Sequence, residues 1–235
     1  MSELNLAELI IFDLDGTLIH SAPDIVVTTN ELMRRRGQKP LEDAIIVDAI
    51  GEGLMQLVYD CFPDARGDQA QLDQIAFDFA EVYESNLLKL TKTFEGIERI
   101  LEEIEQANSQ KIAIVTNKRM KWTDETLKGL KLDRFPWVRV YGSDSLAERK
   151  PHPLPLFEVM KAAGVNPNQT VMVGDGLPDM KAAVRAGVHG IGCAYGYCSA
   201  EKLTAAGASL IIQSPHDLPA ALGNVATMAP RGSCN

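Results

Sequence analysis

The apolar residues of this chain gather into short runs bounded by turn formers: Leu9 to Phe12, Ile112 to Val115, Trp137 to Val140, Thr170 to Val173, Gly190 to Ala194 and Ser209 to Ile212. None of these runs shows the apolar/polar alternation of a half-exposed sheet, so each reads as a strand buried on both faces. Between most of them the apolar positions recur at helical spacing, at Ile97 to Ala107, Trp122 to Leu130, Leu154 to Ala163 and Asp179 to Ala186. Strand and helix in alternation predict an α/β fold, a parallel sheet with helices on both faces.

The rhythm fails once, between the first run and the second, where no convincing strand occurs. Four helical patterns fill that interval. The first opens on Ser21-Ala22-Pro23-Asp24, which reads as a capping box, passes through Ile25, Leu32 and Met33, and stops at Gly37. The others cover Leu41 to Ala49, Leu54 to Phe62 and Ala70 to Leu90; the last sets Leu72, Ile75, Phe79, Val82 and Leu87 at helical spacing. The expected organisation is a core of residues 1–18 and 91–225, an inserted four-helix cap at 19–90, and a frayed tail at 226–235.

Composition narrows the function classes. The 235 residues suffice for a core with an insertion, and 46% hydrophobic with 23% charged is ordinary for a globular protein. A net charge of -9 provides no uniform basic field for nucleic acid or an acidic membrane. Met1 to Glu8 carries acids and no basic residue, unlike a secretory signal, and no apolar run approaches the ~20 residues of a membrane helix. The expected location is the cytoplasm. Cys61, Cys193, Cys198 and Cys234 are too scattered for a disulfide framework or a zinc site and read as reduced thiols.

In an open parallel sheet ligands bind beyond the carboxyl ends of the strands. Four such ends carry polar residues. Asp13-Leu14-Asp15-Gly16-Thr17 comes after the first run, with the two acids placed to face one pocket and Gly16 free to turn the backbone. Two carboxylates so close repel, and a Mg2+ ion relieves the repulsion. Asp13 can then attack phosphorus while Asp15 protonates the leaving oxygen and later activates water. Thr116-Asn117-Lys118 supplies donors for phosphoryl oxygens. Lys150, before Pro151 and so in an extended stretch, offers an ammonium to Asp13 and phosphate together. Asp175 and Asp179 flank a Gly-Leu-Pro turn and can converge on a metal. Singly, each string has a plain reading: an Asp-Gly turn, an N-cap pair, a surface lysine, a helix cap. Lys118 and Arg149 read as solvated surface residues. Gly174-x-Gly176 is no dinucleotide loop, because Asp179 takes the place of the third glycine.

Together these motifs resemble the haloacid dehalogenase superfamily, over Leu9 to about Leu218. The resemblance implies a Rossmann-like core, with Asp13 as nucleophile and Asp15 as acid/base and backbone metal ligand. It further implies Thr17, Thr116, Asn117 and Lys150 on the phosphate, Asp175 on Mg2+, and Asp179 as an outer residue that orients. Asp at 15, where dehalogenases carry Tyr, points to the phosphatases and mutases. Ser21-Ala22-Pro23-Asp24, Thr116-Asn117-Lys118 and Lys150-Pro151-His152-Pro153 are similar to the phosphoglycolate phosphatases, which implies 2-phosphoglycolate as substrate. His20, where Asp is common, and Gly176-Leu177-Pro178, where Ser-Arg-Asn is usual, depart from that pattern. Pyrophosphate, nucleotide and sugar-phosphate phosphatases, phosphomutases and a non-enzymatic phosphate-binding regulator are the alternatives. Gly51-Glu52-Gly53 resembles the cap's specificity loop, and as bare sequence is equally an interhelical turn. His20 and His152 read as structural.

Overall fold

In the computed structural model, which describes residues 7–107, 110–225 and 228, the first apolar run becomes β1 (Leu9–Phe12), with all four side chains buried. The chain then forms β2 (Ile19–His20), α1 (Ala22–Arg35), α2 (Asp43–Asp48), α3 (Leu54–Cys61), α4 (Gln69–Asn86) and β3 (Lys92–Thr93). It continues through α5 (Ile97–Ala107), β4 (Lys111–Val115), α6 (Met120–Gly129), β5 (Trp137–Tyr141), α7 (Leu154–Ala163) and β6 (Thr170–Gly174). It closes with α8 (Leu177–Ala186), β7 (His189–Cys193), α9 (Ala200–Ala205), β8 (Leu210–Ile212) and α10 (Leu218–Val225). Residues 1–6, the expected frayed tail apart from Met228, and Cys234 lie outside the described residues.

Six parallel strands form one sheet in the order β5-β4-β1-β6-β7-β8. Alternate side chains of β1 enter opposite layers, as the pleat requires. Ile10 and Phe12 pack with Ile97 and Leu101 of α5, while Leu9 and Ile11 pack with Leu156 and Val159 of α7. Full burial of each such side chain stabilises the fold by roughly 1.5–3 kcal/mol. Because β1 lies between β4 and β6, the topology reverses direction at its carboxyl end, which opens a crevice there.

Helices α1 to α4 enclose a separate apolar cluster built on Ile46, Val58, Ile75, Phe79 and Tyr83, which also takes Trp122 from α6. The expectation of no strand in this interval is corrected. The chain leaves and re-enters the core through an antiparallel ribbon pairing Ile19 with Thr93 and His20 with Lys92, too short to leave a period in the sequence. The capping box is corrected too. Ser21 makes no side-chain cap bond, and the Ser21 and Ala22 amides instead donate to the Tyr197 hydroxyl at 2.9 and 3.0 Å. Asp24 turns inward, accepting from the Leu90 and Thr91 amides and the Thr91 hydroxyl at 2.9, 3.0 and 2.6 Å. That capture explains why α4 stops at Asn86 rather than Leu90: the chain leaves the helix, with Leu88 at φ +69°, to reach Asp24. Among the described residues no helix is long and apolar enough to cross a membrane, and Cys61, Cys193 and Cys198 are free thiols.

Candidate active site

Parallel strands end at one edge, so the residues just past β1, β4 and β6 meet there. Asp13 extends β1, its amide donating to the Val173 carbonyl at 2.9 Å, so the sheet itself positions the side chain. Asp175 comes directly after β6. Asp179 lies in the first turn of α8, near the positive end of the helix dipole, and its Oδ2 accepts from the Gly176 amide at 2.8 Å. The carboxylates of Asp13, Asp175 and Asp179 bring ligand atoms within 4.8 Å of one another, and all three residues are buried. Gly16 makes this approach possible. It takes φ +83°, and a Cβ there would lie 2.1 Å from Asp175 Oδ2.

One ammonium faces two of the three acids. Lys150 Nζ lies 2.8 Å from Asp13 Oδ1 and 2.5 Å from Asp179 Oδ1, with 1% of its side chain exposed, and also donates to the Val115 carbonyl. Lys150 sits in a turn with a cis peptide to Pro151, where an extended stretch is predicted. Its contact with Asp13 lacks hydrogen-bond geometry, which leaves Asp13 Oδ1 without an oriented donor. Burial, then the Asp179 charge, push the Asp13 carboxyl up to about 7 against the pull of Lys150. Burial, then the Asp13 and Asp179 charges, hold Asp175 well above the carboxylate range. A buried, hard-oxygen cluster short of positive charge fits a divalent cation.

The other predicted residues divide between the cluster and an adjoining cavity of about 60 Å3. Thr17 is fully buried. Its hydroxyl is committed to Asp175 Oδ1 at 3.0 Å, so it orients that acid rather than facing the cavity. The Tyr197 amide holds the other oxygen, at 2.9 Å. Asp15, Thr116, Asn117, Gly51 and Gly53 line the cavity, but Lys150, Asp175 and Asp179 do not. Asn117 Nδ2 donates to the Gly51 and Lys150 carbonyls, both at 3.0 Å, and so clamps the α2–α3 loop onto the core. The carboxylate of Asp15 stays out of the three-acid cluster and pairs with Lys118 Nζ at 3.0 Å.

That pairing corrects the reading of Lys118 as a solvated residue. Its side chain is 4% exposed, and it also donates to the Tyr83 hydroxyl at 2.8 Å. Burial alone would lower its pKa, but the charges of Asp15 and Tyr83 raise it. Sequence reasoning missed Tyr83, which shares a helical face with Phe79 and looks like core, and Arg119, which comes directly after the Thr-Asn-Lys motif. Arg119 lines the cavity with its guanidinium 5.3 Å above the Trp122 ring. Among the described residues it has no ion-pair partner. His20 packs against Phe94 and Tyr197 at the ribbon, and burial, then Lys92, lower its pKa. His152 is exposed and accepts from the Leu154 amide.

Comparison with known proteins places the chain among relatives of similar sequence and fold. The family model described as haloacid dehalogenase-like hydrolase matches residues 10–193. The phosphoglycolate phosphatase of Xylella fastidiosa (strain 9a5c) is 35% identical over 212 residues, 88% of this chain and 89% of that protein. Phosphoglycolate phosphatase 1 of Pseudomonas aeruginosa is 32% identical over 219 residues, 91% of this chain and 79% of that protein. The crystal structure of a predicted phosphoglycolate phosphatase from Haemophilus somnus superimposes with a TM-score of 0.84 at 27% identity, covering 91% of this chain and 97% of the other.

Proposed function

The chain belongs to the haloacid dehalogenase-like hydrolases, and from that premise we propose that it is a Mg2+-dependent phosphatase that cleaves 2-phosphoglycolate through an aspartyl-phosphate on Asp13. One observation carries the reading: of the three clustered carboxylates, Asp13 alone also lines the cavity. It is the acid that can meet both a cation and a substrate. Asp13 and Asp175, with the backbone of Asp15, would hold the Mg2+, which when bound supplies positive charge against the carboxylates and the phosphoryl group.

Asp13 forms a bond to phosphorus as the ester P–O bond breaks, and the leaving oxygen takes a proton from Asp15. Asp15 then accepts a proton from water, whose oxygen attacks phosphorus. The bond to Asp13 breaks, phosphate leaves, and both acids return to their starting states. Thr116 and the neighbouring amides donate to the phosphoryl oxygens, while Lys150 and Asp179 hold Asp13 in line. Residues 19–90 act as a cap over the core of residues 1–18 and 91–225, with Gly51 and Gly53 bringing backbone to the substrate and excluding water.

Size and charge support the substrate. The cavity beside Asp13 is small, about 60 Å3, with room for roughly four waters, which suits a small phosphate ester. The unpaired Arg119 guanidinium at its wall suits a carboxylate. The relatives named phosphoglycolate phosphatase agree with that choice. Acid quench during turnover of ³²P-labelled 2-phosphoglycolate should trap a hydroxylamine-labile label on Asp13, and Asp13→Asn should lose both label and turnover. Substantial turnover in Asp13→Asn would sink the assignment.

A further inference from the structure

We propose that Tyr83, on α4, is a positioning residue for acid/base chemistry: acting through Lys118, its hydroxyl sets the Asp15 carboxylate for proton transfer to the leaving oxygen. The inference rests on the reading of Asp15 as acid/base given above.

Three segments build the chain of contacts. Asp15 lies just past β1, Lys118 just past β4, and Tyr83 comes from the helical insertion. Lys118 Nζ donates to Asp15 Oδ1 and Oδ2 at 3.0 and 3.3 Å and to the Tyr83 hydroxyl at 2.8 Å. An ammonium has three hydrogens and no acceptor, so these three oxygens account for its whole donor capacity. With Lys118 buried, solvent does not stand ready to replace a lost partner, and an ammonium deprived of the phenol oxygen must turn toward another acceptor. The carboxylate it holds turns with it.

The phenol itself is fixed. Tyr83 is 1% exposed, with its ring stacked on Phe79 at 5.6 Å and set edge-on to Trp122 at 4.9 Å. Packing alone would be served by Phe, since a buried hydroxyl is costly unless hydrogen-bonded. The hydroxyl here meets the one lysine that grips Asp15. The grip is therefore complete only when α4 lies over the core, so proton transfer is prepared by the same contact that covers the cavity.

A mere staple between cap and core would affect every substrate alike. In kcat/KM, which reports the steps up to expulsion of the leaving group, a positioning role affects only substrates whose leaving group needs a proton. Comparing kcat/KM for 2-phosphoglycolate, which expels an alkoxide, with acetyl phosphate, of similar size but expelling acetate, separates the two. In Tyr83→Phe, which keeps the ring and its packing, the ratio of the two kcat/KM values should fall about tenfold, a fraction of the ~10²–10⁴ that acid–base catalysis supplies. Lys118→Met, which removes the ammonium and leaves the Tyr83 side chain in place, should lower the ratio at least as far. The double variant should fall no further than Lys118→Met alone, because the residues act in series. Equal losses on both substrates in Tyr83→Phe, or multiplying losses in the double variant, overturn the proposal. Asp15→Asn tests the premise separately: an unchanged ratio there refutes the acid/base reading of Asp15 and not merely the role of Tyr83.

Discussion

Three clustered buried carboxylates, two of them paired with a single ammonium, should make the stability of this protein depend on pH and on divalent cations in a direction opposite to that of most acidic groups. The Asp13 carboxyl rises from 3.8 to about 7 on folding. Below about pH 4 both folded and unfolded chains hold the proton, and the group contributes nothing. As pH rises from there the unfolded chain ionises first, so the folded state loses about 1.4 kcal/mol per pH unit until about pH 7, on the order of 4 kcal/mol in all. Asp175, also raised, adds a loss of the same sign. A bound cation takes the carboxylates as anions and removes the penalty. The assay is urea unfolding monitored by circular dichroism, from about pH 5 to about pH 8, in EDTA and in Mg2+, for the wild type and Asp13→Asn. In EDTA the stability advantage of Asp13→Asn should widen by about 3 kcal/mol across that range; in Mg2+ it should shrink or vanish. An advantage that stays constant with pH in EDTA would refute the charge imbalance.

Two further outcomes rest on single contacts. Arg119→Met should raise KM for 2-phosphoglycolate by about tenfold to a hundredfold, the ~1.5–3 kcal/mol of a charged hydrogen bond. The same change should leave acetyl phosphate, which has no carboxylate, nearly unaffected, and equal changes in the two KM values would count against carboxylate recognition. Asp24→Asn places an amide among the Leu90, Thr91 and Thr91 hydroxyl donors that Asp24 accepts. It should cost about 1–3 kcal/mol in urea unfolding, and an unchanged midpoint would show that this clasp between α1 and the returning chain contributes little.

Much of the fold was legible because the strands are buried on both faces and leave continuous apolar runs. Of the six, β1 matches its run from Leu9 to Phe12, and the others differ by a residue or two at their ends. The two-residue strands at Ile19 and Lys92 were not legible, since no period fits in two positions. The partners of Asp24 were not either. Its spacing from Ser21 suits a capping box, and only the approach of Leu90 and Thr91 offers it better donors.

The candidate chemistry divides in the same way. The residues directly after a strand are set by sequence, and parallel strands send every such end to one edge, so Asp13, Thr116 and Asp175 could be placed together before any coordinates. How each side chain is used depends on partners distant in the chain. Thr17 turns to Asp175, Lys118 is withdrawn from solvent by Asp15 and Tyr83, and Arg119 stands at the cavity wall over the Trp122 ring. Local sequence decides which groups reach the edge of the sheet. The charge balance, burial and hydrogen-bond partners that assign them work exist only once the helical insertion and the strands have packed.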